Sequence, residues 1–202
     1  MRYSKGHNAI ARARIVETAS REFRRRGMDI SVVDLMKAEG LTHGGFYRHF
    51  EGKEALLIEA VEAALDQVAS QLLHLTAHTP RHIALQRVIG FYLSEEHMAH
   101  PESGCALAAL GTEIGRYPER CRARIASALD AYRLRLQRLM PGGTESERKA
   151  QFDVLFPSMA GCLMAARAQA DPDRKREILL GARRFFGDAF CGEESEMKEE
   201  TL

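Results

Sequence analysis

The glycines and prolines of this chain fall mostly between segments whose apolar residues recur at helical spacing, and that punctuation confines it to a succession of helices. Inside those segments Ala, Leu, Arg, Glu and Met dominate, residues that favour helix over strand. The spacing predicts a first helix over about 8–26, with Ile10, Ile15, Ala19 and Phe23 as its apolar stripe and Gly27 as its stop. Ser31 and Asp34 form a capping pair that opens a short second helix, which buries Val32, Leu35 and Met36 and ends at Gly40. Thr42 caps a third helix running through Phe50, and a long amphipathic helix follows from Lys53 to about Leu75. Further helices are expected over about 80–100, 105–116, 118–139, 144–169 and 171–190. Of these, the fourth is opened by a capping box of Thr144 with Glu147, and the fifth by Asp171-Pro172. The expected fold is all-α, about nine helices without a sheet: a three-helix head over residues 1–52 and a body over 53–191. The last stretch, 192–202, holds five Glu and one Lys and is expected to be a disordered acidic tail.

Two short helices joined by a tight glycine-containing turn describe a helix-turn-helix. Charge bears on its partner. Residues 1–53 carry 11 Lys+Arg against 6 Asp+Glu, whereas the remainder carries 18 against 22. A basic head on an acidic body suits a nucleic-acid contact at one end, since phosphate neutralisation supplies most non-specific DNA affinity; a merely solvated helix face has the same composition. The start of the chain leads into polar helix, and no apolar stretch reaches the ~20 residues of a membrane span, so a cytoplasmic protein without a membrane partner is expected. Cys105, Cys121, Cys162 and Cys191 are scattered without a CxxC pair, which points to neither a zinc module nor a disulfide framework. No cofactor is implied.

Gly44 and Gly45 are poor helix formers, each costing about 1 kcal/mol relative to Ala, so something other than helix stability favours them at the head of the third helix. Close approach of the backbone to DNA phosphates or base edges is the physical reading, with the positive end of the helix facing the anion. The run from Ser31 to Leu57, above all Gly45-Phe46-Tyr47, then His49-Phe50, then Lys53-Glu54 and Leu56, resembles the TetR-family helix-turn-helix. That resemblance covers about a quarter of the chain. It implies groove contacts from Thr42, His43 and Gly45, phosphate contacts from Tyr47, His49 and Lys53, and either role for Arg48. Ser31 and Gly44 complete the expected DNA-binding set. Packing between helices is the lesser alternative for Tyr47 and His49, while Phe46 and Phe50 point into the head's core. Arg2, Lys5, Arg12 and Arg14 either flank the DNA or line a solvated face.

The same resemblance implies a homodimer on a palindromic operator in double-stranded DNA, joined through the last two helices, and release by a small-molecule effector held in the body. For the dimer contact the candidates are Gly161, Ala165, Ala168, Phe185 and Phe186; a monomer core is their other possible use. For the effector pocket they are Phe91, Tyr92, Cys105, Leu110, Ile114, Tyr132, Phe152, Phe156 and Met159, any of which could instead be plain core. Pro157, inside a helical stretch, is expected to kink it. Cys105, at a helix start, is either a reactive thiol answering electrophiles or a small packed hydrophobe. No phosphate-binding glycine loop, HExxH or GxSxG occurs, so a non-enzymatic repressor is the reading, with a helical enzyme or a protein-binding adaptor as the alternatives.

Overall fold

The computed structural model of the protein describes residues 5–40 and 42–192; the side chains of residues 5–7, 43 and 82 lie outside that description, as do Arg2 and the acidic stretch after Gly192. The described residues form ten α-helices and two single 3-10 turns, with no strand among them. They are α1 (Lys5–Arg26), α2 (Val32–Ala38), α3 (His43–Phe46), α4 (Lys53–Leu75), α5 (Arg81–Tyr92), α6 (Glu95–Ala99), α7 (Ala106–Ile114), α8 (Glu119–Leu136), α9 (Glu145–Arg167) and α10 (Pro172–Cys191). The chain divides into two compact units, the first from residues 1–67 and 101–129, the second from 68–100 and 130–202.

In the first unit α1 buries Ile15, Ala19 and Phe23, spaced by four, and α4 buries Leu56, Leu57, Ala60 and Ala64. Ile10 is exposed instead. Five residues before Ile15, it is turned about 140° away from the stripe, so the helical period itself excludes it. Arg24 is buried in this unit, and its guanidinium donates to the Ser20 and Gly104 carbonyls, to Ser20 Oγ and to Gln67 Oε1. Burial lowers its pKa to about 10, which leaves it charged at neutral pH. A second polar tie joins Met28 N–H to Glu113 of α7 at 2.7 Å. Both ties run between α1 or its end and the 101–115 segment, so that segment is part of the head's own packing.

In the second unit the stretch expected as one helix over 80–100 is two. Ser94 Oγ accepts from the N–H of His97 at 3.0 Å and starts α6 afresh, a side-chain cap competing with continuation of α5. The far end of α6 is capped by Arg167, which donates to the carbonyls of His97 and Met98. Helix α9 opens with the expected capping box, Thr144 Oγ1 accepting from Glu147 N and the Glu147 carboxylate from Thr144 N. Those bonds hold the Glu147 carboxyl below the usual carboxylate range. Pro157 lies within α9, which continues without a break through Arg167. Helix α10 starts on Asp171, whose carboxylate accepts from Asp173 N, with Pro172 in its first turn.

Candidate nucleic-acid interface

Helix α3 has four residues and two glycines, too short to persist alone. Phe46 and Phe50 hold it. Both are buried, their rings stacked at 5.5 Å, and each contributes about 2–3 kcal/mol of apolar burial, which outweighs the roughly 1 kcal/mol cost of each glycine. Beyond Phe46 the expected helix tightens into a turn, with Arg48 N bonding to Gly45 O and His49 N to Phe46 O, before Phe50 N closes on Phe46 O at 3.0 Å. The Arg12 guanidinium sits 4.6 Å from the centre of the Phe50 ring and chelates Glu59 of α4, while its Nε donates to His49 O. Arg12 is thereby committed to the fold, as is Arg14 through its ion pair with Glu39.

The outward side of this segment is bare and polar. A Cβ added at Gly44 would meet nothing within 4 Å, and one at Gly45 would touch only Thr42 Oγ1 at 3.6 Å and Met36 Cε at 3.8 Å. Thr42 is the N-cap of α3 by backbone conformation, yet its hydroxyl makes no capping bond. Tyr47 is 62% exposed, its ring edge-on to Phe46. Arg48 is exposed and Lys53, the first residue of α4, is half-buried; neither has an ion-pair partner among the described residues. His49 is half-buried with Nδ1 unsatisfied, and its pKa is depressed by burial first and then by the Arg12 and Arg48 cations. Ser31 caps α2, accepting from Asp34 N and donating to Asp34 Oδ2. Among the expected DNA-binding residues, Thr42, Gly44, Gly45, Tyr47 and Arg48 thus share one exposed segment; the His43 side chain lies outside the described residues.

Part of this unit had no forerunner in the sequence reading. Arg120, at the start of α8, donates to Glu54 in the first turn of α4 at 2.7 Å, and Arg124 to Glu62 at 3.1 Å. Only the density of arginine over 116–124, four in nine residues, marked this segment out.

The candidates for a small-molecule pocket fall in both units. In the second, Tyr92, Tyr132, Phe152 and Phe156 form one buried cluster of rings, centroids 4.3–6.0 Å apart, with Met159 also buried. Phe91 stands apart on a more exposed face, stacked on His97. Cys105, the backbone N-cap of α7, together with Leu110 and Ile114, belongs to the first unit. A cleft of about 330 Å3 in the second unit is walled by Arg81, Leu85, Leu139, Glu147, Gln151 and Phe190, and none of the expected lining residues borders it. Of the dimer candidates, Gly161 and Ala165 on α9, Ala168 at its C-cap and Phe185 on α10 are exposed, Phe185 by 67%, while Phe186 is buried within its own unit. No group of three or more His, Cys, Asp or Glu among the described residues is placed to hold a metal ion, and no described helix is long and apolar enough to cross a membrane.

Residues 15–60 match the family model of bacterial regulatory proteins of the tetR family. Among solved structures, a TetR-family transcriptional regulator from Agrobacterium tumefaciens is similar at TM-score 0.71 and 17% identity, over 91% of this chain and 98% of that one. A regulatory protein TetR from Rhodobacter sphaeroides gives 0.67 at 23% identity, over 90% and 99%. The reduced form of E. coli NemR gives 0.67 at 17%, over 87% and 96%. No curated protein matches the sequence.

Proposed function

We propose that this chain, whose residues 15–60 match the tetR-family model and whose fold is that of TetR-family regulators, is a transcriptional repressor that binds a palindromic operator as a homodimer and leaves it when a small molecule binds. One observation carries the DNA-binding part of this reading: the open space over Gly44, bordered by the uncapped Thr42 hydroxyl and the exposed Tyr47 and Arg48. A DNA backbone or base edge fits where a Cβ would otherwise stand, and the surrounding hydroxyls and guanidinium supply donors. Thr42, His43 and Gly45 are then the groove contacts, Tyr47, His49 and Lys53 hold phosphates, and Arg48 serves in either role. On this reading residues 1–52 are the DNA-binding domain and 53–191 the ligand-binding and dimerisation domain.

Dimerisation through α9 and α10 is supported by three helix-interior glycines, Gly161, Gly181 and Gly187, around which the chain itself leaves open space. Each weakens its helix, and contact with a second copy at close range is what would favour them. Release follows if the effector binds better to the state whose two recognition segments are wrongly spaced for successive half-sites. An electrophilic effector would act at Cys105, which is buried beside the Arg24 cation. On this reading the protein is a cytoplasmic regulator without catalytic activity. A gel shift on a duplex selected from a random pool tests it. Salt-sensitive retention that falls about tenfold or more in Arg48→Ala and Lys53→Ala supports the assignment, and retention unchanged in both refutes it.

A further inference from the structure

Outside the three-helix head, the most basic stretch of the first unit is 116–124, where Arg116, Arg120, Arg122 and Arg124 stand against the lone carboxylate of Glu119. All four arginines are exposed. Packing does not call for them, because the start of α8 is anchored by Cys121 and Ile125, both buried. Helix geometry does not favour Arg120 and Arg122 either, since cations in a first turn face the positive end of the helix.

What this stretch adjoins is the start of α4. The Arg120–Glu54 and Arg124–Glu62 bonds seat the first turns of α8 beside it, and Cys121 Sγ adds a contact to Glu54 at 3.5 Å. Lys53, Arg120 and Arg124 wall a single cleft of about 620 Å3, with Glu51 and Glu54 as its carboxylates. Arg116 and Arg122 have no ion-pair partner among the described residues; neither borders the cleft, and Arg122 lies about 160° around α8 from both walling arginines, so the two contribute as more distant, unneutralised charge. Both walling arginines pair with carboxylates on the solvent-exposed surface, where such pairs are weak and exchange partners readily. A phosphate matches the guanidinium fork as well as a carboxylate does.

We propose that this cleft at the start of α4 and α8, walled by Lys53, Arg120 and Arg124 and reinforced by Arg116 and Arg122, is a second DNA-backbone contact that grips phosphates flanking the base pairs read by α3. It rests on the reading of α3 as the segment that enters the groove and extends it to a part of the chain outside the helix-turn-helix. The occupant is duplex backbone and not a small anion because the cleft is continuous with Lys53, at which that reading already places a phosphate, and because unpaired arginines extend the positive charge over a surface larger than a small ligand covers.

The test starts from a duplex of about 40 base pairs selected by the wild-type protein from a random pool, with a second version trimmed to the selected bases alone. Dissociation constants are measured between about 50 and 300 mM KCl for wild type, Lys53→Ala, Arg116→Ala/Arg122→Ala and Arg120→Gln/Arg124→Gln. On the long duplex each double variant is expected to bind about tenfold or more weakly near 150 mM salt, with a slope of log affinity on log salt reduced by about one to two. On the trimmed duplex the double variants and wild type should coincide. Slopes and affinities equal to wild type on the long duplex, with Lys53→Ala still weakened, overturn the proposal and leave the α3 reading standing. So does an equal loss on both duplexes accompanied by a lowered melting temperature, which marks the arginines as structural. If the wild-type protein enriches no sequence, both readings fall together.

Discussion

At Gly44 stability and the proposed DNA contact make opposite demands on one position. Its backbone is not in the left-handed region, and a methyl group there meets nothing in the chain. Gly44→Ala should therefore stabilise the fold by up to about 1 kcal/mol, seen as a melting temperature raised by a few degrees, while weakening operator binding about tenfold or more. A variant that binds DNA like wild type would show that no backbone approaches this face. His49 gives a second prediction of known sign. Its folded-state pKa is lowered, by burial and then by Arg12 and Arg48. Between the ordinary histidine value of about 6.5 and that lower value the unfolded chain binds more protons, so this contribution to stability is complete above about pH 6.5 and is lost as the pH falls through the folded pKa. Melting temperatures measured from pH 7.5 down to about 5 should decline less in His49→Gln than in wild type. Residue identity was legible here wherever local chemistry decides the outcome: the pairing of Ser31 with Asp34 and the inward aim of Phe46 and Phe50. The fates of Arg12 and Arg14 were not, because their partners Glu59 and Glu39 are set by tertiary packing.

Among the elements, caps read most clearly from the chain and breaks least. Thr144 with Glu147 and Asp171 with Pro172 open α9 and α10 as their spacing predicts, because the whole motif lies within four residues. The break between α5 and α6 escaped a reading based on apolar period, since Ser94 acts through one hydroxyl bond to His97 N while the surrounding apolar pattern continues. Likewise α3 ends at Phe46 although its pattern runs to Phe50, the i+3 bonds of the following turn keeping both phenylalanines on the inner side. The approach to α9 supplies an element-level prediction. Gly142 has φ +117°, and a Cβ there would lie 2.9 Å from Glu147 Cβ and 3.4 Å from Arg148 N. Gly142→Ala should thus cost about 2 kcal/mol through backbone strain and displacement of the capping glutamate, measurable by urea denaturation. Thr144→Ala, which removes the capping hydroxyl together with the γ-methyl, should cost about 1 kcal/mol.

For the whole molecule, assembly is the property most exposed to test. Phe185 projects from α10 with two thirds of its surface exposed, beside the buried Phe186 with which it makes an edge-on ring contact. Phe185→Asp, which removes apolar area and places a charge where a second copy would pack, should shift the protein to monomers in sedimentation velocity while leaving helix content unchanged. An unaltered sedimentation coefficient would place any pairing elsewhere. Chain-local patterns showed every long helix but not how the helices group, because the grouping depends on ties such as Arg24 to Gly104 and Met28 to Glu113, between residues 80 and 85 positions apart. Those ties bear on any attempt to move the proposed DNA-reading segment onto another body. The first unit is completed by residues 101–129, so a fusion that keeps only the amino-terminal third would leave the Arg24 guanidinium without its Gly104 acceptor and the Met28 amide without its glutamate. A working chimaera would have to carry the 101–129 segment along with the head, and the graft would need two seams, not one.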